Sequence, residues 1–176
     1  AGAFDITVAP LLTLWGMGPE GRRDDAPSAN ELASARASVG WQKVSVRAQP
    51  PALRKDVPAL RLDPSSMAKG FVIELRNAAL STSGNYRQTT RTGDRIAGHI
   101  IDPRTGQPAT STLGSASVVQ PTCALSSALA TTLIVLGQEA ALTFAPREGV
   151  ACLLQVRTGA SWHDVTSATF AALAAP

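Results

Sequence analysis

Residues 99–108, HIIDPRTGQP, place a histidine, a carboxylate and a guanidinium within six positions. The first three residues end a predicted strand, and DPRTG (102–106) is typical of a tight turn with proline at its second position. His99 can act as a general base near neutral pH, Asp102 can orient it, and Arg104 can bind a phosphate. Taken alone, however, the segment favours an ordinary type I turn, because Asp-Pro is a common turn start.

Three further segments carry similar chemistry. In LDPSSMAKG (62–70), Asp63 ends a predicted strand and the two serines open a helix, whose free N–H groups and Lys69 would attract an anion. The hydroxyls of Thr82 and Ser83 precede Gly84, which allows a ligand to approach the backbone closely. Ordinary structure explains both patterns too, as a capped helix with solvated charges and as a plain hairpin turn.

The third segment is an apolar helix with hydroxyls on one face. Ser127 and Thr131 are four residues apart, so they share that face. Hydroxyls inside a helix often only bond back to the preceding turn, and this interpretation stays open.

Composition limits the function classes. The chain has 176 residues, 44% of them hydrophobic and 16% charged, which predicts one globular domain, 1–176. A net charge of +3 without a Lys/Arg block is compatible with an anionic small ligand, and 5% aromatic residues argue against nucleic acid. We expect no apolar run long enough to cross a bilayer. Cys123 and Cys152 lack metal-ligand spacing and are predicted to be buried packing residues, with a disulfide as the alternative.

The elements that must position these residues follow from periodicity and turn residues. Few helices interleaved with many strands predict an α+β fold. Ser28 and Glu31 have capping-box spacing, and Gly40 and Gly137 are helix stops. The predicted helices lie around 10–15 and at 29–39, 122–137 and 139–145; the predicted strands lie before residue 9, at 42–48, before Asp63, on both sides of the turn in 72–84, and at 94–102, 114–121, 150–157 and 162–167.

Six segments in order resemble motifs of the ApbE family, the flavin transferases. GAFDITVAPLLTLWGMG resembles GAFD-T-GPL-LWGFG, VGWQKV its short VG-W/Y strand, and LDPSSMAKGF its LDLSSIAKGYA motif. ALSTSGNYR resembles ALATSGDYR, HIIDPRTGQP resembles HIIDPRTG-P, and ALSSALATTLIVLG resembles the A-ADALATALFVLG helix. This resemblance covers nearly the whole chain and implies an ApbE-like fold with mixed or antiparallel sheets and a few packed helices.

The resemblance also implies an activity. Family members bind FAD and a divalent metal, usually Mg²⁺, cleave the FAD pyrophosphate, release AMP, and leave FMN esterified to a Thr or Ser of a target protein. Expected acceptors are subunits of sodium-pumping NADH:quinone reductase and of Rnf-type complexes. The expected compartment is the periplasm, with membrane attachment only through an inner-membrane lipid anchor that this chain lacks.

The resemblance also implies functional roles for the residues that match the family's motifs. His99 is the expected base, and Asp102 begins the wall of the catalytic site. The implied metal ligands are the Ser66 carbonyl, Ser127 and Thr131. The implied flavin site comprises Ala3, Phe4, Asp5, Asp63, Lys69, Thr82, Ser83, Gly84 and Ile101.

The chain departs from the family pattern in two ways. The family has an aspartate where this chain has Ser127, and a hard dication prefers a carboxylate to a neutral hydroxyl. The family's amino-terminal strand and a central segment near 71–72 have no counterpart in the sequence as given, which is either a natural shortening or a gap in that sequence. These departures keep open a degenerate flavin-binding protein without transferase activity. The resemblance itself adds a second alternative, a metal-dependent FAD pyrophosphatase, because it implies that reaction for some family members.

Overall fold

Four helices and ten strands form the described part of the chain, which in this computed structural model comprises residues 2–17, 21, 23–63, 78–84, 89–92 and 95–174. The helices are α1 Ala9–Leu14, α2 Ala29–Ala37, α3 Cys123–Arg147 and α4 Ala168–Ala174, with a 3₁₀ turn at Trp41–Lys43. The strands are β1 Val44–Arg47, β2 Ala52–Lys55, β3 Ala79–Gly84, β4 Thr89–Thr92, β5 Arg95–Gly98, β6 Ile101–Asp102, β7 Gln107–Pro108, β8 Leu113–Gln120, β9 Ala151–Thr158 and β10 Ser161–Thr166. The predicted α+β class is confirmed.

The central element is a four-stranded antiparallel sheet in the order β10-β9-β8-β3. Side chains alternate between the two faces of a strand, so every second residue of β8 and β9 points toward α3. The residues on that face are fully buried: Ala116, Val118, Cys152 and Leu154. The other described strands form two-stranded pairs: β1 with β2, β4 with β5, and β6 with β7.

Helix α3 covers this sheet and closes the main core. Thr122 caps its N-terminus by accepting a hydrogen bond from Leu125 N, and Leu133 and Ile134 are fully buried. Each buried side chain of this size contributes about 1.5–3 kcal/mol. Gly137, at φ 76° and ψ 171°, interrupts the helical backbone, which confirms the predicted stop and the second helical stretch after it.

Helix α3 is long and apolar enough to span a membrane, contrary to expectation. Its most apolar 18 residues have a mean hydropathy of 1.5, so by length and composition it could span a bilayer. The sequence-based expectation of no such run is therefore wrong on this criterion. We interpret α3 as a core helix, because it packs against β3, β8 and β9.

Two predicted strands do not form at their predicted positions. The first, before residue 9, is wrong because the Asp5 side chain accepts hydrogen bonds from both the backbone and the hydroxyl of Thr7 and closes a turn there. The second, ending at Asp63, is also wrong. The strand lies earlier, at β2, where Leu53 pairs with Val46.

The remaining differences are a divided strand and an additional helix. The predicted strand 94–102 is divided at His99 and Ile100 into β5 and β6. Helix α4 was not predicted; it begins where the Ser167 hydroxyl accepts a hydrogen bond from Phe170 N. The helix start predicted at 65–71 and the strand predicted after it lie outside the described residues.

Both cysteines are buried and are not joined in a disulfide, which confirms their prediction as packing residues. Cys152 belongs to the main core, and burial raises the pKa of its thiol. A neutral thiol of this kind behaves as a small apolar side chain.

Helix α2 begins with the predicted capping box. Ser28 Oγ accepts from Glu31 N, and the Glu31 carboxylate accepts from Ser28 N at 2.8 Å. Arg23 binds the same carboxylate with two hydrogen bonds of 2.8 and 3.1 Å. The Arg23 hydrogen bond, and then those from Ser28, lower the pKa of Glu31 to about 2.

We expect Glu31→Gln to lower the melting temperature at pH 7 by a few degrees, because the ion pair and half of the capping box lose their charge. Since the folded-state pKa of Glu31 lies below its usual value, the stabilisation is complete above pH 4.5 and is lost as the pH falls toward 2. Thermal melts from pH 7 to pH 2.5 should therefore converge for the two proteins. Glu148→Gln, which removes a surface pair with Arg147, is the control; a constant Glu31→Gln difference across this range would contradict the assignment.

Candidate functional site

The turn after β6 is organised by the Asp102 carboxylate. Asp102 Oδ1 accepts from the backbone N–H of Arg104 at 2.9 Å, and the Asp102 carbonyl accepts from Gly106 N at 2.7 Å. The Arg104 guanidinium returns to the same carboxylate, with Nε at 2.9 Å from Oδ1 and Nη2 at 2.8 Å from Oδ2. Asp102 therefore builds the turn and holds Arg104 in one orientation.

This bidentate pair also sets the charge state of the turn. Burial alone would raise the pKa of Asp102, but the hydrogen bonds from Arg104 outweigh burial and lower it. The same contact raises the pKa of Arg104. Both groups are thus ionised at neutral pH, and each largely neutralises the other.

We expect Asp102→Asn to destabilise the protein by about 2 kcal/mol, because the amide cannot replace the charged pair with Arg104. Asn retains the side-chain oxygen that accepts from Arg104 N, whereas Asp102→Ala removes this contact as well. Urea unfolding should rank the stabilities as wild type, then Asp102→Asn, then Asp102→Ala. Equal stabilities for all three proteins would show that the turn does not depend on this carboxylate.

Helices α1 and α2 position the turn from outside. Trp15 Nε1 donates to the Gly106 carbonyl at 2.8 Å, and Arg36 Nη2 donates to the Arg104 carbonyl at 2.5 Å. Gly106 has a φ of 74°, and a Cβ there would lie 3.2 Å from Arg36 Cδ and 3.3 Å from Leu11 Cδ2. A glycine is therefore required both by the backbone conformation and by the close approach of the helices.

Asp5 connects the first motif to the segment after α2. Its Oδ1 accepts from Thr7, and its Oδ2 accepts from Trp41 N at 3.0 Å. Thr7 Oγ1 donates to Asp5 at 2.6 Å and accepts from Gly40 N at 2.7 Å. The Asp5 carboxylate is thus committed to positioning these backbone segments, and any contact with flavin would come in addition.

A cleft of about 250 Å³ lies where the first motif meets the turn. Its polar groups include the Arg36 and Arg104 side chains, and Trp41, which is 55% exposed, supplies an aromatic surface. Such a cleft offers both charged and aromatic groups to a part of a small ligand. We call it the turn cleft; its lining residues are Gly2, Asp5, Arg36, Val39, Gly40, Trp41, Gln42, Pro103 and Arg104.

A second group of polar side chains lies between β3 and α3. Ser83 Oγ is 3.0 Å from Thr131 Oγ1, and Thr131 Oγ1 donates to the Ser127 carbonyl at 3.1 Å. Either hydroxyl can be the donor in the first pair, because Thr131 has one proton for its two contacts. In both cases the Ser83 oxygen keeps a lone pair that can accept a hydrogen bond or contact a cation. We call Ser83, Thr131 and Ser127, whose backbone carbonyl contacts Thr131, the hydroxyl cluster.

Strand alternation decides which neighbours join this cluster. Thr82 pairs with Ser117 in the sheet, and their hydroxyls are 2.8 Å apart on the face opposite Ser83. The side chains of Thr82 and Ser83, predicted together, therefore lie on different faces. On the α3 side, Ser126 Oγ donates to the Ala79 carbonyl at 2.8 Å and ties the helix to β3.

The hydroxyl cluster does not fit a divalent metal held by the protein alone. Ser127 and Thr131 supply neutral side-chain oxygens, and Ser127 is only 5% exposed. Within the described ranges, no three side chains of His, Cys, Asp or Glu converge where they could share a metal ion. Without a carboxylate, these donors cannot offset the cost of removing water from Mg²⁺.

The other predicted site residues fall into three groups. The Ala3 and Ile101 side chains are 6% and 5% exposed; Ala3 lies in the main core with Ile100, and Ile101 lies in a smaller cluster with Leu11 and Trp15. Phe4, Asp63, Gly84 and His99 are partly exposed. Ser66 and Lys69 lie outside the described residues, so their predicted roles stay predictions.

Sequence reasoning missed several residues of this site. Thr7 is fully buried in the Asp5 network, and Arg36 and Gln42 line the turn cleft. The VGWQKV motif was a signal for Trp41 and Gln42. No local pattern singles out Arg36, because its role depends on the distance between α2 and a turn 68 positions later.

Comparisons with known proteins agree with the arrangement of these motifs. The sequence profile of the ApbE family matches residues 1–75 and 71–154. The FAD:protein FMN transferase of Haemophilus influenzae is 29% identical over 225 residues, covering 96% of this chain and 65% of that protein. The Escherichia coli K12 protein of the same name is 28% identical, covering 96% of this chain and 64% of its own length.

The fold agrees as well. The crystal structure of Pseudomonas stutzeri flavinyl transferase ApbE, in its apo form, matches with a TM-score of 0.86 and 31% identity, over 98% of this chain and 69% of that one. The chain spans just under two thirds of the length of the curated relatives given above. The aligned 225 residues exceed the 176 of this chain, so the relative contains residues without a counterpart here. Because the profile matches more than half of its residues and the fold is shared, the chain belongs to the ApbE family.

Proposed function

We propose that this protein transfers FMN from FAD to a threonine or serine hydroxyl of a target protein and releases AMP. The observation that carries this proposal is the match to a flavinyl transferase over 98% of the chain at a TM-score of 0.86. The name FAD:protein FMN transferase, borne by relatives at 28–29% identity, supports the same reaction class.

The reaction is a phosphoryl transfer. The acceptor oxygen forms a bond to the phosphorus of the FMN half of FAD, and the bond from that phosphorus to the bridging oxygen breaks. AMP leaves with the electron pair of the broken bond, and the acceptor hydroxyl gives up its proton. Such reactions depend mainly on positioning the partners and on stabilising charge around the phosphorus.

His99 is the proposed acceptor of that proton, because it directly precedes the turn that Asp102 and Arg104 hold rigid. A rigid turn fixes the backbone beside the histidine, which favours a constant distance to the acceptor hydroxyl. Ser83 and the turn cleft supply polar groups for the flavin nucleotide. Asp63, Lys69 and Ser66 belong to this proposal through the family resemblance.

In this proposal, Mg²⁺ binds together with the FAD pyrophosphate rather than to the protein alone. The hydroxyl cluster has no carboxylate to hold the ion, whereas the FAD pyrophosphate carries negative charge of its own. Ser127 and Thr131 would then contribute only neutral oxygens beside the ion.

The proposed acceptors are subunits of sodium-pumping NADH:quinone reductase or of Rnf-type complexes, and the proposed compartment is the periplasm. Both proposals rest on the family resemblance. The acceptor must present a threonine or serine on an accessible segment, because its oxygen has to reach the phosphorus in line with the leaving AMP.

Incubation of the purified chain with FAD, Mg²⁺ and a synthetic acceptor peptide tests the proposed transfer. We expect the peptide to gain the mass of FMN minus water, and AMP to form in equal amount. Intact mass of the enzyme, measured first, establishes that the 176-residue chain is the species tested. FAD consumption without a modified peptide would instead indicate a pyrophosphatase, with FMN and AMP as free products.

A flavin-binding protein without chemistry is the second candidate, and Ser127 is the observation that favours it. If the missing carboxylate abolishes catalysis, FAD should bind and change its fluorescence, yet neither AMP nor a modified peptide should appear. The same assay therefore separates all three activities.

A further inference from the structure

The hairpin formed by β1 and β2 exposes apolar side chains that a core would normally bury. Val46 and Leu53 are directly paired across the two strands, and they remain 80% and 50% exposed. A two-stranded hairpin has little stability of its own in water, so side chains at its pairing position usually contribute by packing. Here this pair faces solvent.

The tip of the hairpin continues the apolar surface. Residues 48–51, AQPP, are all exposed and contain no charged side chain. Two of the four are prolines, which have no backbone N–H, and Arg47 Nε donates to the Pro50 carbonyl at 3.1 Å. The tip therefore has fewer backbone donors to be desolvated than an ordinary turn has, which lowers the cost of moving it out of water.

Two arginines, Arg47 and Arg54, lie on the strands near this tip, whereas Lys43 and Lys55 lie at the base of the hairpin and donate to backbone carbonyls. Residues 43–56 contain four cations, Lys43, Arg47, Arg54 and Lys55, and one acid, Asp56. Arg54 pairs with Asp56 at 3.2 Å while its side chain stays 77% exposed. The hairpin thus carries a net charge of +3, equal to that of the whole chain.

We propose that the β1–β2 hairpin docks on an anionic membrane surface. The hairpin inserts with its proline-containing tip toward the membrane, so that Val46 and Leu53 enter the headgroup region on one face while Arg47 and Arg54 contact lipid phosphates on the opposite face. Arginine suits this position because its aliphatic stem lies on apolar surface while the guanidinium reaches phosphate. An uncharged tip flanked by two arginines is the complement of a lipid interface, which is apolar below and anionic above.

The charge distribution favours a membrane over a protein partner. A protein partner recognised with specificity would be expected to use directed hydrogen bonds, but Gln49 is the only hydrogen-bonding side chain among residues 48–51. The proposal is independent of flavin chemistry, so it stands or falls separately from the proposed transferase activity.

Co-sedimentation of the full chain with vesicles tests this docking. We expect binding to vesicles of phosphatidylcholine and phosphatidylglycerol in equal parts, and little binding to phosphatidylcholine alone. Binding should fall steeply between about 0.05 and 0.5 M salt, because the Debye length shortens. Replacing Arg47 and Arg54 with glutamine should weaken binding about tenfold or more.

The apolar contribution is tested by the double variant Val46→Ser/Leu53→Ser, which should also bind about tenfold more weakly. Leu173→Ser is the matched control, since Leu173 on α4 is 62% exposed and lies outside the hairpin; its binding should equal that of the wild type. Circular dichroism and thermal melts confirm that each variant is folded.

Two outcomes would overturn the proposal. Failure of the wild type to bind anionic vesicles at low salt is the first. The second is equal vesicle binding by the wild type and the hairpin variants. If the hairpin variants instead lose modification of a full-length soluble acceptor while vesicle binding is absent or unchanged, the hairpin is a protein-docking surface rather than a membrane contact.

Discussion

Replacing His99 with alanine is expected to lower FMN transfer by about 10²- to 10⁴-fold, the usual contribution of a positioned general base. FAD affinity should stay within a few-fold, because the imidazole is proposed to act on the acceptor hydroxyl rather than on the nucleotide. Single-turnover transfer to an acceptor peptide and flavin fluorescence titration measure the two quantities separately.

The control is His163→Ala, since His163 is the chain's other histidine and lies exposed on β10. It should leave transfer unchanged. If His99 accepts the proton, the acid limb of the wild-type pH–rate profile should disappear in the His99→Ala variant. Full transfer by His99→Ala would remove this residue from the mechanism.

Ser127→Asp is the second change with a large expected effect. A carboxylate at this position adds negative charge beside Thr131, and we expect the affinity for Mg²⁺ to rise about tenfold or more, with a gain in transfer activity. Binding of Mn²⁺ as a paramagnetic probe and calorimetry with Mg²⁺ measure the affinity without relying on activity.

Stability provides an independent readout of the same variant. Position 127 is 5% exposed, so an unpaired carboxylate there should lower the melting temperature in the presence of EDTA, and Mg²⁺ should restore it. The wild type should show no such Mg²⁺ dependence. Ala128→Asp places a carboxylate on the same turn of α3 but on another face, and should gain no metal affinity. If Mg²⁺ changes neither the stability nor the binding of Ser127→Asp, this helix position is not a metal ligand.

Local patterns predicted many elements correctly. The Ser28–Glu31 capping box and the Gly137 stop describe contacts within a few residues, and both are present in the structure. The same kind of reasoning was wrong before residue 9, where alternation predicted a strand. There the Asp5 side chain competes with strand pairing by bonding to Thr7, as short polar side chains do in turns.

The motifs that carry the chemistry were predicted from residue types and order. Their spatial grouping needed the structure. Ser83 and Thr131 are 48 positions apart, and they meet because β3 pairs with β8 and α3 packs on that sheet. Thr82, adjacent to Ser83 in sequence, is excluded from the same cluster by strand alternation.

The sequence by itself determined the family, the α+β class and the residue types at each motif, because these depend on order and on local propensity. It also determined that position 127 has a neutral side chain. Only the tertiary structure decided that Asp5 binds the backbone of Trp41, that Arg36 reaches the Arg104 carbonyl, and that Val46 and Leu53 on the β1–β2 hairpin stay exposed. Those facts depend on which distant segments pack together, and burial of apolar surface across the whole chain, rather than any short segment, sets that packing.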